Sequence, residues 1–155
     1  MGIGICRGDK MIRNLVQTDI PQLAQLYKLF WNEDSNTEKM YATFDRIQLN
    51  HAYSLLGYFS NDNMLIGSVM GVICYELYGE CNPFMILENM VVDVKMRKKG
   101  VARALLFELE KRAVAAGCSQ IILVTEKART DACGFYESMG FSKENAGYKK
   151  KVNIT

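Results

Sequence analysis

The sequence predicts an α/β fold in one domain of ordinary size. Its 155 residues are 49% hydrophobic and 23% charged, a balance typical of globular proteins that bury a single core. Apolar, β-rich runs alternate along the chain with segments whose apolar residues recur at helical spacing. One strand, one short basic turn and one helix follow each other between Glu88 and Leu106. Together these three observations predict a mixed α/β architecture.

The chain is predicted to begin with a strand, Met11–Val16, and a helix. Thr18 or Asp19 can cap this helix, and Pro21 lies in its first turn, where proline is tolerated. One face of the helix is expected to pack on the core, because its apolar residues form a single stripe. The stripe contains Ile20, Leu23, Ala24, Tyr27, Phe30 and Trp31.

A second helix and a hairpin are predicted next. Ser35 and Glu38 have the spacing of a capping box, which places a helix from there to about Leu49. Two β-rich runs, Tyr53–Phe59 and Met64–Leu77, are joined by four turn-forming residues and are expected to pair as an antiparallel hairpin. Two glycines in the second run, at positions 67 and 71, predict a bulge or a close approach of the backbone there.

A long strand, Phe84–Val94, leads into the helix that begins at Gly100. The strand is almost continuously apolar, so both of its faces are expected to be covered. The helix carries a core-facing stripe and is expected to stop at Gly117. The stripe contains Val101, Ala102, Leu105, Leu106, Leu109, Ala113 and Ala116.

The last part of the chain is predicted to contain two more strands and a helix. Ser119–Thr125, rich in Ile, Leu and Val, is expected to be a buried strand. Thr130 or Asp131 can cap a short helix that follows it. Phe141–Val152 is then expected to fold back as a hairpin. Residues 1–10 are predicted to be a flexible extension, and residues 11–155 a single domain.

Charge and cysteine content argue against several classes of protein. The net charge of +2 is small for a dedicated nucleic-acid binder. Five cysteines lack C-x-x-C spacing and the chain has one histidine, so neither a metal site nor a disulfide framework is predicted, and the thiols are expected to be reduced in the cytoplasm. No run of eighteen apolar residues occurs, so no membrane span is predicted.

The turn Arg97–Ala102, with the sequence RKKGVA, is predicted to bind a pyrophosphate. A helix start offers free backbone N–H groups and the positive end of the helix dipole. Gly100 has no side chain to hold a phosphate away from those groups. Mobile positive charge around the same point comes from Arg97, Lys98, Lys99 and Arg103.

This hexapeptide resembles the acyl-coenzyme A motif of the GNAT superfamily of N-acetyltransferases, Q/R-x-x-G-x-G/A. A second block, ACGFYESMGF at Ala132–Phe141, is similar to the later A-x-x-F-Y-x-x-x-G-F signature of that family. The resemblance covers roughly Met11–Val152. It implies the GNAT acyl-CoA N-acyltransferase fold, with a central, mostly antiparallel sheet flanked by helices, in which the fourth and fifth strands splay apart.

The resemblance also implies that acetyl-CoA is the co-substrate. Its pantetheine arm is expected in the gap between the splayed strands, where the backbones of Val92 and Val94 would pair with its amides. The Met90 N–H would bond the thioester carbonyl. The pyrophosphate would be held by Arg97, Lys98, Lys99, Gly100, Val101, Ala102 and Arg103.

Two residues are candidates for proton transfer. A primary amine with a pKa of about 10 is mostly protonated at neutral pH, so a base assists acetylation. The resemblance supports Glu88 as that base, and partial burial beside the apolar strand is expected to strengthen it; a purely structural carboxylate stays an alternative. The family counterpart of Tyr136 donates a proton to the departing thiolate, although a Tyr that bonds a backbone carbonyl stays open. Arg129 stands where many members have Asn, so the contacts of that Asn are not carried over.

The acceptor is expected to be a small primary amine. Four carboxylates and four aromatic residues lie in segments that should flank its cleft: Glu33, Asp34, Glu76, Glu80, Trp31, Tyr41, Tyr75 and Tyr78. Met40, Tyr41 and Phe44 are either core or acceptor pocket. The predicted function is direct acetyl transfer in a ternary complex, without nucleic acid or membrane as a partner. A protein acetyltransferase and a non-catalytic acyl-CoA sensor remain alternatives, and the oligomeric state, a homodimer included, is open.

Overall fold

The computed structural model describes residues 11–152, so the predicted extension over residues 1–10 lies outside the described part. The chain divides into two compact units, Met1–Ile122 and Leu123–Thr155. The elements, in chain order, are β1 (Met11–Asn14), α1 (Ile20–Trp31), α2 (Thr37–Gln48), β2 (Tyr53–Phe59), β3 (Leu65–Cys74), β4 (Phe84–Val92), α3 (Val101–Ala115), β5 (Ile121–Ile122) and α4 (Thr130–Ser138). Short 3-10 helices, Gln17–Asp19 and Val94–Met96, precede α1 and follow β4.

The five strands form one mixed sheet in the order β1-β2-β3-β4-β5. The first three pairings are antiparallel, and only β4 and β5 run parallel. The β2–β3 hairpin turns where the sequence predicts it, because the Ser60 N–H donates to the Met64 carbonyl at 2.9 Å. The expected mostly antiparallel sheet and the hairpin are therefore confirmed.

Helices α1 and α2 cover one face of this sheet. One buried cluster joins them to β2, β3 and β4, and its members are Leu15, Ile20, Leu23, Leu26, Phe44, Phe59, Leu65 and Val91. The α1 stripe differs from the predicted one at two places. Leu26 is buried although the prediction omits it, and Trp31 at the end of the helix is 45% exposed.

Helix α3 covers the opposite face and lies very close to β3. A Cβ atom built on Gly67 would be 2.7 Å from Val101 Cγ1, and one on Gly71 would be 2.6 Å from Leu109 Cδ1. The predicted close backbone approach at both glycines is thus confirmed. Five members of the predicted α3 stripe are buried, whereas Ala116 lies beyond the helix end. Gly117 follows with the left-handed φ of 74° that ends the helix.

Three predicted helix caps are wrong. Asp19 precedes α1, but its carboxylate accepts from the guanidinium of Arg13 at 2.6 and 3.0 Å and from the Val16 N–H at 2.8 Å. For α2, Asn36 rather than Ser35 is the cap, since its side chain accepts from the Lys39 N–H at 2.9 Å. Helix α4 has no side-chain cap, and Thr130 lies inside its first turn.

The C-terminal strand predictions are also wrong in extent. β5 contains two residues instead of Ser119–Thr125, and Ile122 is 40% exposed rather than buried. No strand is assigned within the described part of Phe141–Val152. That segment has few apolar or β-branched residues and many lysines, so it has little apolar surface to bury as a hairpin.

Candidate active site

A bulge interrupts β4 in its middle. In the register with β3, Met70 pairs with Glu88 and Ser68 pairs with Val91. One β3 residue, Val69, therefore faces two β4 residues, Asn89 and Met90, and the extra residue makes a β-bulge. Asn89 has a φ of 51°, a left-handed conformation that Asn tolerates better than most residues.

The bulge decides which way the neighbouring side chains point. Residues directly opposite each other in a ladder share a face of the sheet. Met70 lies on the face covered by α1 and α2, so Glu88 points to that face, and Val91, three positions later, points there as well. A regular strand would send positions 88 and 91 to opposite faces. The bulge thus lets Glu88 and the core residue Val91 lie on the same, α1/α2 side of the sheet.

The β4–β5 ladder is very short. It consists of the pairs Met85–Ile121 and Ile86–Ile122 and, within the first unit, ends there. Leu87, Glu88, Val91 and Val92 of β4 then pair with β3 in that unit. Met90, inside the bulge, has no register partner in either described ladder, as expected for a bulged residue.

The turn between β4 and α3 leaves Gly100, at the start of α3, without close neighbours on its Cβ side. The Asp93 side chain accepts from the Lys95 N–H at 2.9 Å and caps the 3-10 helix that follows β4. Lys98 and Gly100 then adopt left-handed φ angles of 60° and 83°. A Cβ atom on Gly100 would have no neighbour within 4 Å. Gly100 therefore starts α3 in a conformation that glycine adopts without strain.

The first N–H groups of α3 have no partner from the described residues. Val101, Ala102 and Arg103 lie in the first turn, where no intrahelical acceptor exists, and no side chain caps the helix. The basic residues Arg97, Lys98, Lys99 and Arg103 are all exposed around this turn. Free amide donors, the positive helix end and four cations fit a pyrophosphate.

Arg97 also contacts α1. Its Nε donates weakly to the Val92 carbonyl at 3.5 Å, and its guanidinium carbon lies 5.7 Å from the centre of the Phe30 ring. That distance is within the range of cation–π attraction. The Phe30 ring makes an edge contact with Trp31, with centroids 4.9 Å apart. The basic turn is therefore connected by side-chain contacts to the aromatic end of α1.

Two expectations about β4 are wrong. Glu88 is exposed, so the partial burial expected for it is absent, although it pairs with Met70 in the β3–β4 ladder. Val94 is outside the strand, which ends at Val92. Val94 opens the 3-10 helix, where its carbonyl accepts from the Arg97 N–H at 3.4 Å.

Tyr136 belongs to the second unit. It lies half-buried on α4, with edge contacts to Phe135 and Phe141 at centroid distances of 5.3 and 5.6 Å. The carbonyl of Tyr136 accepts from the Phe141 N–H at 3.0 Å, which fixes the chain after the helix. Arg129, the position where many family members have Asn, is the residue just before α4.

A cavity of about 660 Å³ lies between α1, α2 and the sheet. Its walls come from α1 (Ile20, Leu23, Tyr27, Trp31), from α2 and the segment before it (Glu33, Asp34, Ser35, Asn36, Lys39, Met40, Thr43, Phe44, Ile47) and from the sheet (Leu55, Met70, Asn89). Asn89 is part of the bulge, so the cavity reaches the centre of β4.

The predicted acceptor residues divide into two groups. Those on the α1–α2 side line the cavity: Trp31, Glu33, Asp34, Met40 and Phe44. Tyr41, which is exposed on α2, and the residues of the β3–β4 connection do not line it: Tyr75, Glu76, Tyr78 and Glu80. The sequence reasoning missed the other wall residues, among them Ile47 and Asn89. The one signal for Asn89 is the ability of Asn to adopt a positive φ.

Some charged and polar groups that line the cavity have partners within the described protein, and others do not. Burial raises the pKa of Tyr27 to about 12, so its phenol stays protonated at neutral pH and can donate a hydrogen bond. The Asp34 carboxylate pairs with the Lys28 ammonium at 2.8 Å. Within residues 11–152, neither Glu33 nor Lys39 has an ion-pair partner.

Two further properties hold for the described residues. Among them, no three or more His, Cys, Asp or Glu side chains come together as a metal site would require. No helix over the same residues has the length and apolar character needed to cross a bilayer.

The chain matches a family model and individual proteins. Residues 20–141 match the model described as the acetyltransferase (GNAT) family. Over 78 residues the chain is 35% identical to N-acetylaspartate synthetase of Homo sapiens, an alignment that covers 50% of this chain and 26% of that protein. The chain spans less than half the length of the curated relatives that it matches.

Solved structures share the fold. A protein of Agrobacterium tumefaciens strain C58, provisionally named an acetyltransferase, superposes with a TM-score of 0.84 at 22% identity, covering 92% of this chain and 99% of that one. Glucosamine-6-phosphate N-acetyltransferase of Arabidopsis thaliana gives 0.80 at 18% identity, covering 93% and 99%. At such identities the likeness shows the fold, and the predicted GNAT fold is confirmed. Because the family model matches most of the sequence and includes both the basic turn and α4, the chain belongs to the acetyltransferase (GNAT) family.

Proposed function

We propose that this protein transfers an acetyl group from acetyl-CoA to a primary amine of a small molecule, directly and in a ternary complex. The observation that carries the proposal is the uncapped start of α3. Its first amides have no acceptor among the described residues, and exposed basic side chains surround them. A helix N-terminus with free amides binds phosphate groups and similar anions, and the pyrophosphate of acetyl-CoA is such a group.

Acetyl-CoA supplies an acetyl group that is activated as a thioester. In the proposed reaction, the Met90 N–H in the bulge donates to the acetyl carbonyl oxygen and stabilises the negative charge that develops there. Such a donor typically lowers a barrier by about 3 kcal/mol. The absence of a described ladder partner for Met90 supports this role.

Glu88 and Tyr136 handle the protons in this proposal. Glu88 accepts a proton from the substrate ammonium, directly or through water, and the freed nitrogen forms a bond to the acetyl carbon. The carbon–sulfur bond breaks at the same centre, and Tyr136 donates its phenolic proton to the departing sulfur. The second proton that the attacking nitrogen must lose to become an amide passes through water to the Tyr136 oxygen and restores the phenol. The exposed position of Glu88 on the cavity side of β4 supports the first step, while the role of Tyr136 rests on the family resemblance of its motif.

The acceptor amine is proposed to bind in the cavity beneath α1 and α2, since the cavity reaches the bulge at Asn89. The relatives act on different amines by name, among them the one named for glucosamine 6-phosphate. Their identities are too low to carry a substrate to this chain. We also propose a cytoplasmic location, because the five cysteines lack the spacing of a disulfide framework.

The proposal is tested by calorimetric titration with coenzyme A and by thiol release from acetyl-CoA with a panel of primary amines. Lys99→Ala should weaken coenzyme A binding about three- to tenfold, because it removes one charge from the turn. Lys111→Ala, on α3 away from this turn, is the matched control and should leave binding unchanged. Coenzyme A binding without thiol release for any amine would favour the sensor alternative, and acetylation of proteins alone would favour the protein acetyltransferase.

A further inference from the structure

The walls of the α1/α2 cavity are mostly apolar. On α1 the lining residues Ile20, Leu23, Tyr27 and Trp31 lie on one stripe. Ile20 and Trp31 are eleven positions apart, which corresponds to about 16 Å of helix. Met40, Phe44 and Ile47 line the cavity from α2. The cavity is therefore a long apolar slot that follows the axis of α1.

Several polar groups around this slot already have partners inside the protein. The Asn36 side chain accepts from the Lys39 N–H and is used as a helix cap. The Asp34 carboxylate is paired with Lys28. Asn36 and Asp34 lie in the connection between the two helices, as do Glu33 and Ser35. On the α1 and α2 walls, the polar lining groups are the Tyr27 phenol, the Thr43 hydroxyl and the Lys39 ammonium, and the other lining residues of the two helices are apolar.

The slot ends at the proposed reaction centre on its sheet side. Asn89 lines it and is the left-handed residue of the bulge. Its chain neighbours are the proposed base, Glu88, and the proposed carbonyl donor, Met90. A molecule whose amine lies at the bulge must then extend its remaining atoms along the apolar walls.

A sugar amine fits such walls poorly, whereas a hydrocarbon amine fits them well. Each hydroxyl buried without a partner weakens binding by a factor of about ten or more. Each methylene group removed from water strengthens binding about fourfold. In the same cavity, the affinities of these two classes of acceptor are therefore expected to differ by several orders of magnitude.

We infer that the acceptor is an apolar primary amine, alkyl or arylalkyl, with its nitrogen at Asn89 and its hydrocarbon part between α1 and α2. That the bound amine is acetylated rests on the proposed function. That an apolar amine binds in this cavity does not. The inference assigns specificity to the half-buried apolar walls of the slot, chiefly Met40, Ile47, Leu55 and Met70.

Binding is measured without turnover through Trp31, which lines the cavity and is the single tryptophan of the chain. Its fluorescence is followed during titration with n-butylamine, n-hexylamine and n-octylamine, and with glucosamine 6-phosphate. The dissociation constant is expected to fall about three- to fourfold for each added methylene. A dissociation constant independent of chain length, or tighter binding of the sugar phosphate than of hexylamine, would overturn the inference.

A pair of variants tests the location. Ile47→Asn places an amide in the wall, and it should weaken hexylamine binding about tenfold or more and reduce the dependence on chain length. Leu49→Asn is the matched control, because Leu49 follows the same helix, is 84% exposed and does not line the cavity. The wild-type chain-length series needs no variant, so the inference stays testable if Ile47→Asn fails to fold. Equal affinity of both folded variants for hexylamine would place the amine elsewhere and refute the inference.

Thiol release separates this inference from the proposed reaction. Chain-length-dependent binding with no thiol release for any amine would leave the apolar site standing and remove the transferase. Thiol release with sugar amines but not with alkylamines would leave the transferase standing and remove the apolar acceptor.

Discussion

Gly100 is the residue at which the anion site can be tested most directly. Its φ of 83° is left-handed, and a Cβ atom there would have no protein neighbour within 4 Å. Gly100→Ala therefore causes no clash in the free protein. It forces alanine into a conformation that costs about 1–2 kcal/mol, and it places a methyl group where the pyrophosphate is expected to meet the first amides of α3.

The loss of binding follows from the contacts at stake. One hydrogen bond between an amide and a charged phosphate contributes about 1.5–3 kcal/mol, so displacement of a single such contact should weaken coenzyme A binding about ten- to a hundredfold. Calorimetric titration measures this loss. Urea unfolding in the absence of ligand measures the backbone cost separately.

Gly79→Ala is the matched control. Gly79 lies in the β3–β4 connection with a φ of 59°, and its Cβ position is equally open. Both variants should lose similar stability, and only Gly100→Ala should lose affinity for coenzyme A. If the folded Gly100→Ala protein binds coenzyme A as tightly as Gly79→Ala does, the pyrophosphate does not lie on these amides and the reasoning about the turn is refuted.

Four further predictions concern packing, charge and proton transfer. Gly67→Ala should destabilise the protein by about 1–3 kcal/mol in urea unfolding, because its methyl group would overlap a side chain of α3. The hydrogen bonds from Arg13, with one from the backbone of Val16, lower the pKa of Asp19, so this carboxylate stabilises the fold above its ordinary pKa of about 4 and loses that effect as the pH falls through the lowered value. Asp19→Asn should therefore cost about 1–3 kcal/mol at pH 7 and less at pH 2 in unfolding experiments. Glu88→Gln should lower kcat most at low pH, and Tyr136→Phe should lower kcat about a hundredfold with unchanged affinity for coenzyme A.

Each of these variants has an outcome that contradicts the reasoning. A Gly67→Ala protein as stable as the wild type would mean that α3 can shift away from the sheet. An Asp19→Asn penalty equal at pH 7 and pH 2 would mean that ionisation of this carboxyl does not contribute. Glu80→Gln, in the β3–β4 connection, is the control for Glu88→Gln, and identical pH profiles of the two variants would remove Glu88 as the base. Full activity of Tyr136→Phe at every pH would remove the acid.

The sequence was most informative where local rules and packing agree. β2 has the predicted bounds, Tyr53–Phe59, because a β-rich run ends at a strong turn. The α3 stripe was predicted because five apolar residues at helical spacing leave one arrangement for the core. Gly67 and Gly71 indicated a close helix because a glycine in a strand has few other uses. The basic turn was visible as a motif.

The sequence predictions that were missing or wrong concern features that depend on contacts between distant residues, which no local sequence pattern contains. The bulge at Asn89 shifts the ladder by one residue, and an apolar strand gives no period from which to detect that shift. The cavity forms between distant segments, so wall residues such as Leu55 and Ile47 look like ordinary core positions. The caps of α1 failed because Asp19 has a stronger partner in Arg13 than in the helix amides.

The extra residue of the β4 bulge is not needed for the pairing of β3 with β4. A chain lacking Asn89 could pair Met90 with Val69 and keep Glu88 and Val91 opposite their present partners. Every core side chain would retain its neighbours, and the strand would merely become straight. The strand pairings therefore do not require this one residue, so deletion of Asn89 would test the site proposed at the bulge with little change to the sheet.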